Sequence, residues 1–357
     1  MLVFFALDGT FKNKFNLVYL GFLTTILLSV FVGIDGANSF VYFLRFLEFG
    51  ILWFLISSGF LDFKKLSFTF VAALTLISLI GIGQYFLQHS VGLQIIGEPV
   101  LTQDIKGIAK FAFGDQFFIR AYGTFAHPNI FAGYLLLGIF LSLNFLRQKL
   151  RKLQKILLAY VFVILFLALI LTFSRSGLLA LVAGLVVYFY PKFDKKYLWR
   201  ILVGLMCLGL VSLLFEFPQL IFQRIFDSQG ISERFLFYDI SWKMFLDHPF
   251  GVGIGNFTSL MQNYSVTELQ PWNYQPVHNL FFLIVNEVGL LGLGLFMMLI
   301  WEIFKNSKDS KNRSLLSVLL VLAFFDHYFL SIYQGQALLI LYLATLDYSR
   351  SKSPELT

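Results

Sequence analysis

Charge is what this chain has least of. Only 13% of its residues are Asp, Glu, Lys or Arg, against 58% hydrophobic, and the mean hydropathy is +0.78. A soluble globular domain is about one-quarter charged, so composition excludes that class. Cysteine is almost missing: Cys207 stands alone, which excludes an intrachain disulfide and a cysteine-built metal site. Within its apolar run it reads as a small buried hydrophobe. There is no Asp-x-Asp pairing and no His/Cys ligand spacing, so neither a metal nor another cofactor is required. Repeats, low-complexity tracts and linkers are absent as well, and residues 1–357 are expected to form a single polytopic domain.

Long apolar runs are what the chain has instead. They cover about 15–33, 40–60, 65–87, 125–146, 155–173, 177–190, 198–217, 279–304, 314–330 and 332–348. Several reach the ~20 residues that cross a bilayer core. The 45 phenylalanines suit a lipid-facing surface. The expected fold is therefore an all-α integral membrane protein of about ten transmembrane helices. Nothing at the N-terminus reads as a cleavable signal, so the first run is expected to be retained as a span.

Charge placement orients the spans. With the N-terminus in the cytoplasm, the cytoplasmic segments hold 19 of the 27 Lys and Arg, including Lys64 and Lys65, Arg147 to Lys155, and Lys305 to Arg313. This is the positive-inside pattern, and it accounts for the net charge of +7 without nucleic acid. Both termini are then cytoplasmic. Arg45, Lys106, Lys110, Arg120, Arg175, Arg224, Arg234 and Lys243 remain, outside or within spans. An arginine near the bilayer centre costs about 2.5–3.5 kcal/mol on insertion scales, so one that is kept there needs a partner or a task.

Two outer segments, 88–124 and 218–278, are too long to be turns and read as functional loops. The larger contains an amphipathic helix candidate, Arg234–Asp247, with Ser232 as its N-cap. Asp239, Lys243 and Asp247 recur along one face, and Leu236, Ile240 and Met244 along another. The helix is expected to lie at the membrane surface, apolar side down, and to stop before His248-Pro249.

Three short segments fall on the outer side, each where a helix starts inward: Arg120 to Asn129, Thr172 to Gly177, and Val277-His278-Asn279. Pro128 fits a first helical position, Ser174 or Ser176 can cap the sixth span, and Asn279 or His278 the eighth. Helix N-termini present free N–H groups and about half a positive charge. With Arg120, Arg175 and Arg234 nearby, they form an anion-attracting pocket suited to a phosphate or diphosphate. Taken singly, each arginine has a simpler reading as a snorkelling or surface charge, and His127 reads as a cap. Three basic motifs at three helix starts argue against coincidence.

His278 is the candidate for proton transfer, because a neutral imidazole can take the proton of an attacking hydroxyl. His327, beside Asp326, is the reserve candidate; His89 and His248 lie in loops with nothing to distinguish them. Glu287 is expected to be a buried partner for a basic group such as Arg45, and Glu48 a local partner of Arg45. Gly251-Val-Gly253-Ile-Gly255 reads as a glycine turn, since no βαβ unit surrounds it.

At these residues the chain resembles the O-antigen ligase family, which includes O-antigen polymerases and O-linked protein oligosaccharyltransferases. The matching stretches are Gly123 to Asn129, Ser174 to Gly177, Arg234 with Asp247 to Phe257, and His278-Asn279 followed after nine residues by Gly289-Leu-Leu-Gly292. Leu293 stands where a small residue is more usual. The resemblance runs from about 120 to 300. It implies a membrane glycosyltransferase of the C type in the bacterial inner membrane. The implied reaction is a metal-independent, inverting transfer at the periplasmic face. The donor would be a glycan on undecaprenyl diphosphate, and the acceptor a lipid-linked glycan or one of the lipid A-core type. By position, Arg175 and Arg234 would hold the diphosphate, Arg120 would add to them, and His278 would activate the acceptor hydroxyl or stabilise the reacting centre. His127, Asn129, Asn279, Asp326 and His327 are possible supporting residues.

A polymerase joining lipid-linked repeats and an oligosaccharyltransferase acting on Ser or Thr use the same motifs, so the acceptor stays open. A lipid-linked sugar flippase would instead show repeated halves and polar residues spread along its spans. Here the unexplained polar groups gather at span ends.

Overall fold

The computed structural model describes residues 14–113, 116–189, 228–307 and 309–351. In chain order these form α1 (Lys14–Val32), α2 (Gly36–Ser57) and α3 (Phe63–Leu87), then a hairpin of β1 (Lys110–Phe113) and β2 (Gln116–Ile119). After it come α4 (Pro128–Leu146), α5 (Lys152–Leu171), α6 (Arg175–Phe189), α7 (Ser228–Asp247) and α8 (Phe257–Tyr264). The remaining helices are α9 (Leu280–Glu287), α10 (Gly289–Asn306), α11 (Ser310–Phe325), α12 (Tyr328–Ser331) and α13 (Tyr333–Ser351).

Among the described residues, α1 to α5 and α10 are long and apolar enough to cross a membrane, and α6 is a shorter apolar helix. Their outer faces carry Leu76, Leu79, Leu157, Tyr160 and Val163 in the open. Water does not tolerate apolar surface on this scale, whereas hydrocarbon does. The chain is a multi-pass membrane protein. The run expected at 198–217 lies outside the described residues.

The chain forms two compact units, Met1–Phe70 with Arg234–Thr357, and Val71–Glu233. In the first, α1 packs on α10 and α2, and α2 on α13. Phe15 and Tyr19 set their edges on Trp53 at 4.7 and 4.5 Å between ring centroids, and the Trp53 indole donates to Asp347 of α13. In the second unit α4 is the inner helix: 67% of its apolar window is buried, against 17% for α5. Close packing there needs small residues, for a Cβ at Gly138 would meet Leu74 at 2.6 Å.

Some expectations need correction. The eighth run is not one rod, because it breaks at Val288–Gly289 into α9 and α10, with Gly289 at φ +83°. The loop helix begins at Ser228, not Arg234, so position 232 lies within the helix and not at its N-cap. It ends at Asp247 as expected. Its Ile240 and Met244 are fully buried in the protein, and Ser241 accepts from Asn286 of α9 at 2.6 Å, so its apolar side docks on the chain itself. An adjacent, exposed face carries the Lys243–Asp239 ion pair at 2.6 Å. The hairpin and α8 were not anticipated.

Glu287 does not pair with Arg45. It is 2% exposed, and it accepts the N–H groups of Gly255 at 2.9 Å and Phe257 at 3.2 Å. Asn286 and Glu287 carbonyls accept from Val252 and Gly253 in turn. The glycine turn is thereby fastened to the end of α9. At Gly251 (φ +89°) a Cβ would lie 2.6 Å from the Glu287 carbonyl, so only glycine fits. Arg45 instead lies over the Tyr42 ring at 4.9 Å, and Glu48 accepts from the Tyr333 hydroxyl at 2.9 Å.

Candidate functional site

Local chemistry fixes where α9 starts. Asn279, extended at φ −161°, accepts from Phe281 N–H at 2.9 Å and Phe282 N–H at 3.1 Å, a full N-cap. Its amide donates onward to the Phe324 carbonyl at 3.1 Å and towards the Tyr238 hydroxyl at 3.5 Å. His278 is thereby held one residue ahead of a helix start, between α7 and the end of α11.

Around His278 the first unit gathers several predicted residues. Its Nδ1 is buried and lies 3.8 Å from Asp326 Oδ1, beyond hydrogen-bond reach but close enough for attraction. Asp326 is itself buried and ends α11. The His327 ring centroid is 5.0 Å from that of His278, and His327 Nδ1 lies 2.6 Å from Ser331 Oγ. Phe237 of α7 sets its ring 6.1 Å from His278. Arg234, half-buried, stands three residues before Phe237 and so on the same face of α7. His278, Asn279, Asp326 and His327 thus converge although they span about fifty positions of sequence, and Arg234 lies one helical turn from Phe237.

The second unit gathers the others. Pro128 opens α4, and His127 caps it, its Nδ1 accepting from Asn129 N–H at 3.1 Å. Arg120 is 4% exposed; its Nε donates to the Thr172 carbonyl at 2.5 Å and its Nη2 to Asn129 Oδ1 at 2.7 Å. It braces the end of α5 against the start of α4. The nearby Tyr122 hydroxyl accepts from Ala109 N–H at 2.5 Å. Burial raises its pKa against that bond and the Arg120 charge.

Between α5 and α6 the turn is tight. Phe173 takes φ +47°, which costs a non-glycine residue about 1–3 kcal/mol. Its ring stacks on Phe111 of β1 at 3.9 Å, which offsets part of that cost. Ser174 then caps α6 by accepting from Gly177 N–H at 3.2 Å. Arg175, the first residue of α6, is exposed.

Ser331, Tyr238 and Phe237 escaped sequence reasoning. The i, i+4 spacing of His327 and Ser331 could have exposed one of them. Tyr238 and Phe237 meet His278-Asn279 only through tertiary packing, which leaves no local signal.

The O-antigen ligase family matches residues 160–297 of the chain, a stretch that contains Arg175, Arg234, His278 and Asn279. No curated protein matches it.

Proposed function

Starting from the O-antigen ligase domain that this membrane protein carries, we propose that it transfers a glycan from undecaprenyl diphosphate to an acceptor hydroxyl at the periplasmic face of the bacterial inner membrane. Glycosyl transfer of the ligase or polymerase kind is what the family supports. The ten-span topology with cytoplasmic termini, the donor, and the metal-independent inverting course belong to the proposal.

The observation that carries the reading is the His278–Asp326 pair beside a capped helix start. With Nδ1 turned to a carboxylate, His278 presents Nε2 for proton transfer. The 3.8 Å gap fits a catalytic contact that tightens only when substrate binds. In the proposed reaction the acceptor oxygen attacks the anomeric carbon. The carbon–oxygen bond to the diphosphate breaks with inversion, the acceptor proton passes to Nε2, and undecaprenyl diphosphate departs with its charge. Arg234 and Arg175 are each proposed as diphosphate ligands, because each holds a permanent cation that solvent or substrate can reach. Stabilising charge on the leaving diphosphate is the larger catalytic contribution. Arg120, Asn129, His127 and Asn279 act as positioning residues, and His327 with Ser331 supports the His278 ring.

In a deletion strain complemented with His278→Ala, the protein is expected in the membrane at the wild-type level. Transfer is expected to fall by about 10²–10⁴-fold, the usual worth of a general base. Wild-type transfer in that strain removes His278 from the mechanism. The phenotype of the deletion separates acceptors. Detached surface glycan indicates a ligase acting on a lipid A-core type acceptor. Glycan one repeat long indicates a polymerase, and unmodified secreted protein an oligosaccharyltransferase.

A further inference from the structure

Past the end of α3 the chain hides its charge and displays its apolar side chains. Ile95 is 95% exposed, Val100 62% and Ile96 58%, with Val91 and Leu93 beside them. From Ser90 to Leu101 the only ionisable residue is Glu98, and it is turned inward, 4% exposed. Its carboxylate accepts from the N–H groups of Val91 at 2.6 Å, Gly92 at 2.9 Å and Leu93 at 2.6 Å. Ser90 and Leu101 close the base of the turn, N–H to carbonyl at 3.1 Å and N–H to hydroxyl at 2.7 Å. Ile96, Gly97 and Glu98 N–H groups bond to carbonyls of the same turn.

Eight of the eleven N–H groups in this stretch are therefore satisfied without water. A loop destined for bulk solvent has no need of that, nor of an isoleucine pair at its tip. Non-helical backbone near lipid does need it, since unsatisfied polar groups there are costly. The three N–H groups left over, at Gln94, Ile95 and Val100, suit the wet headgroup boundary and not the hydrocarbon core. The exposed apolar strip follows closely in sequence on the last turn of α3, where Phe86 is 71% and Leu87 51% exposed.

We propose that residues 91–100 form a membrane anchor, an apolar knob led by Ile95 and Ile96 that dips into the boundary between headgroups and acyl chains where α3 leaves the bilayer. The anchor reaches the functional segment through Gln84. That side chain donates to Glu98 Oε1 at 3.0 Å and to the Gly123 carbonyl at 2.8 Å, and it accepts from the N–H groups of Tyr122 and Gly123. Lipid depth at Ile95 thus fixes the height of the stretch that carries Arg120 and His127.

The test uses the full chain in a Cys207→Ser background with Ile95→Cys, or separately Val100→Cys, labelled with an environment-sensitive fluorophore. The protein is reconstituted in vesicles of phosphatidylcholine and phosphatidylglycerol. The expected result at both sites is blue-shifted emission, resistance to aqueous iodide, and stronger quenching by a nitroxide near the lipid headgroup than by one near the chain end. Quenching by iodide at Ile95 overturns the proposal. So does shielding from both quenchers, which indicates a protein partner, and so does stronger quenching from the chain end. No outcome depends on glycosyl transfer, so the anchor and the proposed reaction stand or fall separately.

Discussion

Arginine 120 offers the sharpest separation of a brace from a ligand. It donates two hydrogen bonds from a buried guanidinium, to the Thr172 carbonyl and to Asn129 Oδ1. A hydrogen bond from a charged group contributes about 1.5–3 kcal/mol, so Arg120→Ala is expected to cost about 3–6 kcal/mol. Domains are stable by only about 5–15 kcal/mol, so the loss is a large share of the total. Arg175 is exposed, and Arg175→Ala is expected to cost less stability than Arg120→Ala, since water can solvate what an exposed side chain leaves behind. The assay pairs thermal melting of the detergent-solubilised protein, followed by tryptophan fluorescence, with a transfer measurement on the same preparations. Arg120→Ala is expected to melt several degrees lower, and Arg120→Lys to recover part of the difference. Arg175→Ala is expected to melt closer to the wild type than Arg120→Ala does, and to lose transfer. An Arg120→Ala protein that melts normally yet transfers nothing would refute the bracing role and make Arg120 a direct substrate contact.

Two carboxylates invite companion experiments. Burial pushes the Glu98 carboxyl up, but the hydrogen bonds from Gln84 and from the Leu93, Val91 and Gly92 N–H groups outweigh it and hold its pKa below the usual value. A depressed pKa contributes stability above the unfolded pKa, and that contribution disappears as pH falls through the folded one. Val91 to Leu93 are therefore expected to resist amide exchange near neutrality and to lose that protection in acid, below the ordinary carboxylate range. Glu98→Gln is expected to flatten the dependence; equal protection in both proteins at every pH would dissociate the turn from its carboxylate. Glu287→Ala strands the N–H groups of Gly255 and Phe257, at about 1–3 kcal/mol each, and is expected to speed proteolysis within 251–257. Glu287→Gln, with one acceptor left, is expected to fall between, and unchanged cleavage in both variants would count against the fastening.

Much of the helical frame was legible because its determinants are local. Pro128, Ser174 and Asn279 announce helix starts by their own chemistry, and α4, α6 and α9 begin there. The break at Val288–Gly289 was not legible, since the apolar stretches on either side of Asn286-Glu287 read as one run. Glu287 was misread because opposite charges invite pairing on paper, whereas backbone N–H groups of a glycine turn reach it first. β1 and β2, four residues each, are too short for alternation to stand out in a loop. The convergence of His278 with Asp326 and His327 spans nearly fifty positions, and only packing brings them together.

The stubby helix that begins behind His278 has a consequence for how such an enzyme lets go of its product. The Asn286–Ser241 bond and the Asn279 cap's reach to Tyr238 tie it to the helix carrying Arg234, and four more bonds, from Val252, Gly253, Gly255 and Phe257, tie its far end to the chain leaving that same helix. In the proposed reaction the Arg234 cation and the His278 base would thus ride on one hydrogen-bonded assembly. The lipid carrier of the proposed reaction would then depart past helices that hydrogen bonds hold to one another.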